Sequence, residues 1–433
     1  MIAIKEVTSK KEIKDFILFS FELFKDNPYW VPPLISEEME TFDKNKNPNL
    51  KNCDLKLFLA YQENRIVGKV AAIINWSEVN DLKKKKARFG WFDVVDDINV
   101  TKALLDKVEA FGKEKGMDHI EGPLGFSNLD KVGVLTEGFD QLSTMISWYS
   151  KPYYKEHFKK LGLIVEKEYQ ESIFSMLDVD PAPYIRASKM VKERYGLRML
   201  NFSKSSEIMP YVDDMFQLFN TTYEKLQSFV AVTQEQIDYI KKKHISFINP
   251  EYIKFVVDEN NKMIAFVIVM PSFAKALQRA NGKLFPTGWW HLLQAKKNSK
   301  EVVFYLIGIL PEYQNKGITA IIFDEYYKVF KSKNIETCIR TPELEEKIDR
   351  AIDEFMAQYT NEEGIVEITK FNEDLTNEGF LGSILGGLTG FALGSSVGKI
   401  VAKALGVQSG ILYDLLTSRL VGAAVGSALG TRF

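Results

Sequence analysis

Residues 302–319 read VVFYLIGILPEYQNKGIT, and the order of residue types in this stretch decides the fold. Glu301–Leu310 is a long apolar run rich in β-branched and aromatic residues, which predicts a buried strand. Gln314–Thr319 follows as a loop and Ala320–Ser332 as a helix. In such a strand-to-helix loop the backbone N–H groups converge on one spot. The helix N-terminus adds roughly half a positive charge there. The combination suits a pyrophosphate. Gly317 permits close backbone approach or a positive φ. Lys316 and Thr319 add side-chain donors. The predicted anion cradle is therefore Leu310 with Gln314, Asn315, Lys316, Gly317, Ile318 and Thr319.

Upstream, Leu197–Phe202 reads as a strand. Ile208–Leu226 and Thr233–Ile245 read as amphipathic helices, the second with Thr233 and Gln236 spaced as a capping box. Tyr252–Asp258 and Met263–Met270 flank a turn and predict a β-hairpin. Downstream, Ile335–Arg340 is a strand, and Pro342 is placed to open another helix. The first region repeats the outline. Asp54–Gln62 and Ile66–Asn75 straddle a turn at Glu63–Arg65. Ala87–Val95 is a strand, Val100–Lys115 a helix and His119–Pro123 a strand. Pro152–Leu161 is a helix and Ser172–Leu177 a final strand, with a linker near Asp178–Pro183. A mixed α/β (α+β) chain built on a structural duplication is expected.

The loop resembles the acetyl-CoA loop of GNAT acyltransferases, Gln/Arg-x-x-Gly-x-Gly/Ala after the fourth strand. Gln314, Gly317 and Thr319 fill the patterned positions, and Pro311-Glu312-Tyr313 ahead of them is similar to that family. Thr319 departs from the small last residue and narrows the space at the phosphate. The resemblance implies two GNAT-like mixed-sheet domains. Residues 195–348 would bind acetyl-CoA or another acyl-CoA as a substrate, with an amine as acceptor. Residues 1–180 would be a degenerate copy, because Asp96-Asp97-Ile98-Asn99 stands where the loop should be and its two carboxylates repel a pyrophosphate. Residues 1–348 also resemble a group of bacterial proteins with two GNAT-like halves. The shared features are Asn27–Pro33, the glycine-rich Gly122–Phe139, and Gly282–Pro286. A structural loop joining strand and helix is the simpler account of Gly122–Phe139.

Acyl transfer to an amine needs a base for the amine and an acid for the leaving thiolate. The family commonly supplies the acid as a tyrosine, preceded by an asparagine, on the helix after the fifth strand. Here Lys347 stands in place of the asparagine, and Glu354 and Phe355 in place of the tyrosine. Tyr359, one turn later, is the substitute. Glu312, beside the loop, is the candidate base, with Glu224 and His244 as alternatives from the substrate side. Trp289, Trp290 and His291 either line a substrate mouth or pack.

Composition narrows the partners. The chain has 433 residues, 45% hydrophobic and 26% charged, which provides for two or three domains with ordinary cores. A formal charge of −2 supplies no global basic field, so nucleic acid is not expected. Cys53 and Cys338 are far apart and the four histidines are scattered, so neither a metal site nor a disulfide framework is expected. The charged N-terminus, MIAIKEVTSKKEIKDF, is unlike a signal peptide, which points to a cytoplasmic location.

Residues 349–375 read as a charged connector, and 376–433 differ in texture from everything before them. Gly382, Gly386, Gly390, Gly394 and Gly398 recur every fourth residue, and Gly422, Gly426 and Gly430 repeat the spacing. On a helix each set forms one stripe. Phe380–Gly398 carries no charge and is close to the spanning length of ~20 residues, although glycine and serine keep it weakly hydrophobic. Each helical glycine costs about 1 kcal/mol relative to alanine. A glycine-zipper helical hairpin is expected, stabilised by a bilayer, by self-association, or by packing on the protein body. Some phage virion proteins have similar tails. Two readings follow. One is an acyl-CoA-dependent N-acyltransferase. The other is a binding or structural protein that keeps the scaffold and joins a membrane or an assembly, a virion among them, through residues 380–430.

Overall fold

The computed structural model describes residues 1–344 except 128, 177, 178, 180, 225–228, 244–247 and 315. The connector and the expected glycine-rich hairpin lie outside the described residues. In chain order the elements are β1 (Ile2–Glu6), α1 (Lys10–Leu23), α2 (Ile35–Thr41), β2 (Cys53–Gln62), β3 (Arg65–Asn75), α3 (Trp76–Asn80), β4 (Lys86–Val94), α4 (Ile98–Glu114), β5 (His119–Glu121) and α5 (Tyr153–Lys160). They continue with β6 (Tyr169–Ser175), α6 (Ala182–Tyr195), β7 (Arg198–Leu200), α7 (Ser205–Ile208), α8 (Val212–Tyr223), α9 (Gln234–Lys243), β8 (Ile253–Val257), β9 (Met263–Pro271), α10 (Ala274–Ala280), α11 (Gly288–Asn298), β10 (Glu301–Ile309), α12 (Ile318–Lys333) and β11 (Thr337–Leu344).

The chain forms two compact units. The first comprises Met1–Val165, Tyr223–Ile245 and Ser272–Ser299. Its sheet has the order β1-β2-β3-β4-β5, antiparallel except for the parallel β4–β5 pair. Glu63 and Asn64 take positive φ, 50° and 63°, at the β2–β3 turn, as a tight hairpin requires. β3 is buried on both faces. Val70, Ala72 and Ile74 pack with Val100, Leu104 and Val108 of α4. Ala71 and Ile73 pack with Phe16 and Ile17 of α1. This alternation is the two-residue period of a strand. Ser9 and Glu12 form a capping box at α1. The two later segments dock on this unit. Lys243 pairs with Glu40 at 2.6 Å, and Ala274 and Leu277 pack with Val31 and Leu34.

The second unit comprises Glu166–Thr222, Ser246–Pro271 and the described residues from Lys300 onward. Its sheet runs β6-β11-β10-β9-β8-β7, again with one parallel pair, β10–β11. The sequence β2–β3–β4–α4–β5 in one unit and β8–β9–β10–α12–β11 in the other repeat the same order of hairpin, strand, helix and parallel strand. The architecture is mixed α/β (α+β) with two GNAT-like mixed sheets.

Two sequence expectations are corrected. The strand expected to close the first region, Ser172–Leu177, belongs to the other sheet: Ser172 to Ser175 pair antiparallel with Arg340 to Thr337 of β11. The helix expected from Pro342 does not begin there. β11 runs through Pro342 to Leu344, and a register shift between Arg340 and Glu343 accommodates the proline in its pairing with β6.

Candidate functional site

In both sheets the parallel strands pair over a short stretch only. β10 faces β11 from Glu301–Phe304 against Thr337–Arg340, yet β10 continues to Ile309 along β9. A bulge between Phe304 and Leu306 coincides with the last paired residue. Bulges of this kind re-aim a strand and occur beside binding sites. The β10–β11 ladder therefore ends at Phe304 and Arg340, while β10 continues along β9. Arg340, the last β11 residue opposite β10, is buried, and burial pulls its guanidinium down to about 10.

The chain leaves β10 through the predicted loop. Leu310 donates its N–H to Ile264 O at 2.9 Å, and its carbonyl accepts from Tyr313 at 2.8 Å and Gln314 at 3.1 Å. That closes a single 3-10 turn at Pro311–Tyr313. Gly317 is the N-cap of α12 with φ 78°, and as a glycine it brings no capping side chain of its own. The first N–H bonded back into the helix is that of Ala320, to Gly317 O at 3.0 Å. The N–H groups of Gly317 and Ile318 lie ahead of it, at the positive end of the helix dipole.

The loop is held by α12, whose Ile318, Ile321 and Ile322 are buried. Tyr326 OH donates to Tyr252 O at 2.8 Å, and burial raises this phenol well above its ordinary value. α6 runs beside α12. Tyr184 stacks on Phe323 at 3.9 Å, and Ser188 Oγ donates to Asp324 Oδ2 at 2.8 Å. At the loop end, a Cβ on Gly317 would meet Val191 Cγ2 at 2.9 Å.

The remaining predicted residues are placed as follows. Gln314 is exposed and its Nε2 donates to Ile309 O at 3.1 Å. Lys316 is exposed, its ammonium over the rings of Tyr313 at 4.9 Å and Tyr195 at 5.4 Å. Thr319 is half-buried. Glu312 is exposed, 3.6 Å from Lys262. Glu224 is exposed. Trp289 and Trp290 stand out from α11, half exposed. Asn315, His244 and Tyr359 lie outside the described residues.

In the first unit the equivalent helix end is closed by the chain itself. The side chain of Asp97 caps α4 by accepting from Asn99 N–H at 2.9 Å. The Asp96 carboxylate accepts from His157 Nε2–H at 3.1 Å. At the fork of this unit, where β4 runs past its last residue paired with β5, is a cavity that sequence reading missed, in whose largely apolar walls Ser20, Glu38, Lys69, Asp93 and Lys131 stand. Asp93 Oδ2 accepts from Ser20 Oγ at 2.6 Å and lies 3.3 Å from Lys69 Nζ. Asp93 Oδ1 accepts from Tyr154 OH at 3.2 Å. Across the cavity Glu38 accepts from Trp91 Nε1 at 2.8 Å. Burial raises the Glu38 carboxyl and lowers the Lys131 ammonium. The signal was present in the sequence: Lys69 and Asp93 each stand inside an apolar run, where an isolated charge is costly. Among the described residues no group of three or more His, Cys, Asp or Glu is placed to hold a metal ion. No helix among them is long and apolar enough to cross a membrane.

Two mixed sheets, each with one parallel pair at the same place in the strand order, make a tandem of two GNAT-like folds. No family model matches the chain. In sequence it is similar to Protein YghO of Escherichia coli, 27% identical over 322 residues that span 74% of this chain and 81% of that protein. It is also similar to Bacterial ceramide synthase of Caulobacter vibrioides, 22% identical over 317 residues that span 72% of this chain and 82% of that protein. Among solved structures it is similar to a tandem GNAT protein from the clavulanic acid biosynthesis pathway, with TM-score 0.44 and 9% identity over 79% of this chain and 90% of that one.

Proposed function

We propose that the chain is an acyl-CoA-dependent N-acyltransferase whose second unit holds the acyl-CoA and whose acceptor is an amine. The observation that carries this reading is the end of the β10–β11 ladder at Phe304 beside the helix N-terminus at Gly317, whose φ is 78°. The N–H groups ahead of Ala320 and the Lys316 ammonium suit the CoA pyrophosphate. The thioester would lie along β10 beyond Phe304, where its ladder with β11 has ended. The first unit takes no CoA in this reading, because Asp97 already caps α4.

In the reaction the acceptor nitrogen attacks the thioester carbonyl carbon. The C–N bond forms, the C–S bond breaks, the amine loses a proton and the thiolate gains one. Glu312, which precedes the loop in sequence, is the base candidate, with Glu224 and His244 as alternatives, and Tyr359 is the candidate acid. The name of the Caulobacter relative supports a more specific acceptor. Ceramide is the fatty amide of a long-chain amino alcohol, so a long-chain amine is the acceptor class we favour.

Titration calorimetry with acetyl-CoA and a long-chain acyl-CoA tests the first part. Thiol release in the presence of a long-chain amino alcohol tests the second. Heat of binding together with acceptor-dependent thiol release is expected. No binding of either thioester at millimolar concentration overturns the reading. Binding without thiol release for any amine leaves a scaffold without turnover.

A further inference from the structure

The longest stretch of this near-neutral chain without an acidic residue is 260–300, which holds Lys262, Lys275, Arg279, Lys283, Lys296, Lys297 and Lys300. Its part in the first unit, Ser272–Ser299, builds α10 and α11. One side of α11 is anchored: Gly288 is buried, and Leu292 packs with the cluster of Val31, Leu34 and Leu277. The other side is bare. Trp289 is 50% exposed, Trp290 49% and Leu293 48%. Phe285, in the preceding turn, is 82% exposed.

The turn is fixed against the helix, so these side chains form one patch. Trp289 N–H donates to Leu284 O at 2.8 Å, and Trp289 Nε1 donates to Pro286 O at 2.8 Å. At 100° per residue, Trp289, Leu293 and Lys297 fall on the same side of α11. Its aromatic first turn is thus followed on one face by a basic last turn. Lys283 and Lys297 are exposed at the two ends of the patch.

We propose that this patch docks on an anionic lipid surface. Apolar exposure of this kind is costly unless something covers it. Tryptophan rings suit the headgroup layer, where one edge is apolar and the other wet. Lysine stems lie along the acyl boundary while their ammonium groups reach phosphate. The basic residues of this stretch, which itself carries no carboxylate, complement an anionic leaflet, which attracts such residues by about 1 kcal/mol each. The inference is independent of acyl transfer, since it is read without CoA.

The test is co-sedimentation of the full chain with phosphatidylcholine vesicles, with and without phosphatidylglycerol. Two variants accompany it, Phe285→Ser/Trp289→Ala and Lys283→Glu/Lys297→Glu. All four positions are exposed, and circular dichroism checks that the fold is kept. Binding that requires phosphatidylglycerol is expected, weakened at least about tenfold in each variant. The tryptophan emission of the parent should shift to the blue on binding. The proposal is overturned if the parent binds neither vesicle, or if it binds both alike. It is also overturned if the variants bind like the parent, the outcome if another segment such as 376–433 carried the contact. Variants that lose self-association but keep vesicle binding would make the patch a contact between copies, and the proposal would fail.

Discussion

Gly317 has no room for a side chain beside Val191, because a Cβ at this left-handed position would lie 2.9 Å from Val191 Cγ2. Two separate costs meet there. A non-glycine residue at φ 78° is strained by roughly 1–2 kcal/mol. The contact adds more, because the valine Cγ2 is fixed by χ1 and cannot swing away. Gly317→Ala should therefore lower stability by about 2 kcal/mol in denaturant unfolding. Val191→Ala in the same chain should return the contact part and leave the strain. Coupling of about 0.5 kcal/mol or more between the two substitutions is expected. Strict additivity would mean that α6 does not constrain the loop.

One acyl-CoA should bind per chain, at the second unit. Gly317→Glu places a carboxylate at the loop and should abolish all binding heat. Asp96→Ala with Asp97→Ala should leave the second-unit site intact, while losing about 1 kcal/mol of stability with the α4 cap. Two equivalents bound by the parent, with one surviving in Gly317→Glu, would show that the first unit also takes the thioester.

The strand, loop and helix at 301–333 were legible because local signals agreed: an apolar run, then a polar loop with a glycine just ahead of a helix. The hairpins at Glu63–Arg65 and Glu259–Lys262 were legible because in each a short polar turn separates two apolar runs. The capping box of α9 was visible as a spacing, and Thr233 and Gln236 form it, with Thr233 N–H donating to Gln236 Oε1 at 2.7 Å. The partner of β6 was not legible. Its pairing with β11 joins residues more than 160 positions apart, and alternation within a strand says nothing about which edge it joins. Pro342 misled because a proline after a strand reads as a helix start, whereas a register shift carries β11 through it. The Lys69–Asp93 cluster was missed because each residue looks, alone, like a charge in the wrong place. Only the fold brings them to 3.3 Å.

Glu12 gives a pH dependence with a definite sign. It accepts the backbone N–H groups of Thr8 and Ser9, which favour its charged form and lower its pKa from 4.5 to about 2. A depressed carboxyl contributes stability above its unfolded value and loses it as the pH falls through the folded one. The advantage of the parent over Glu12→Gln should therefore hold above pH 4.5 and fade between 4.5 and about 2. Thermal unfolding of both proteins across that range checks it. A gap that widens on acidification would reverse the assignment.

The buried pair at the fork of the first unit should behave as a unit. Lys69 and Asp93 have side chains only 5% and 12% exposed, and Lys69 also sits 4.8 Å over the ring of Phe16. Removing one charge strands the other away from water, a loss of about 3–5 kcal/mol for a fully buried pair. Lys69→Met should fall near the low end, because Ser20 and Tyr154 still donate to the carboxylate. Asp93→Asn should cost at least as much, since an amide cannot balance the ammonium. The double variant Lys69→Met/Asp93→Asn should be more stable than the sum of the two losses predicts, because no uncompensated charge remains. Denaturant unfolding of the three variants decides the matter. Single losses below about 1 kcal/mol, the range of exposed pairs, would mean that water reaches the cavity and screens both charges.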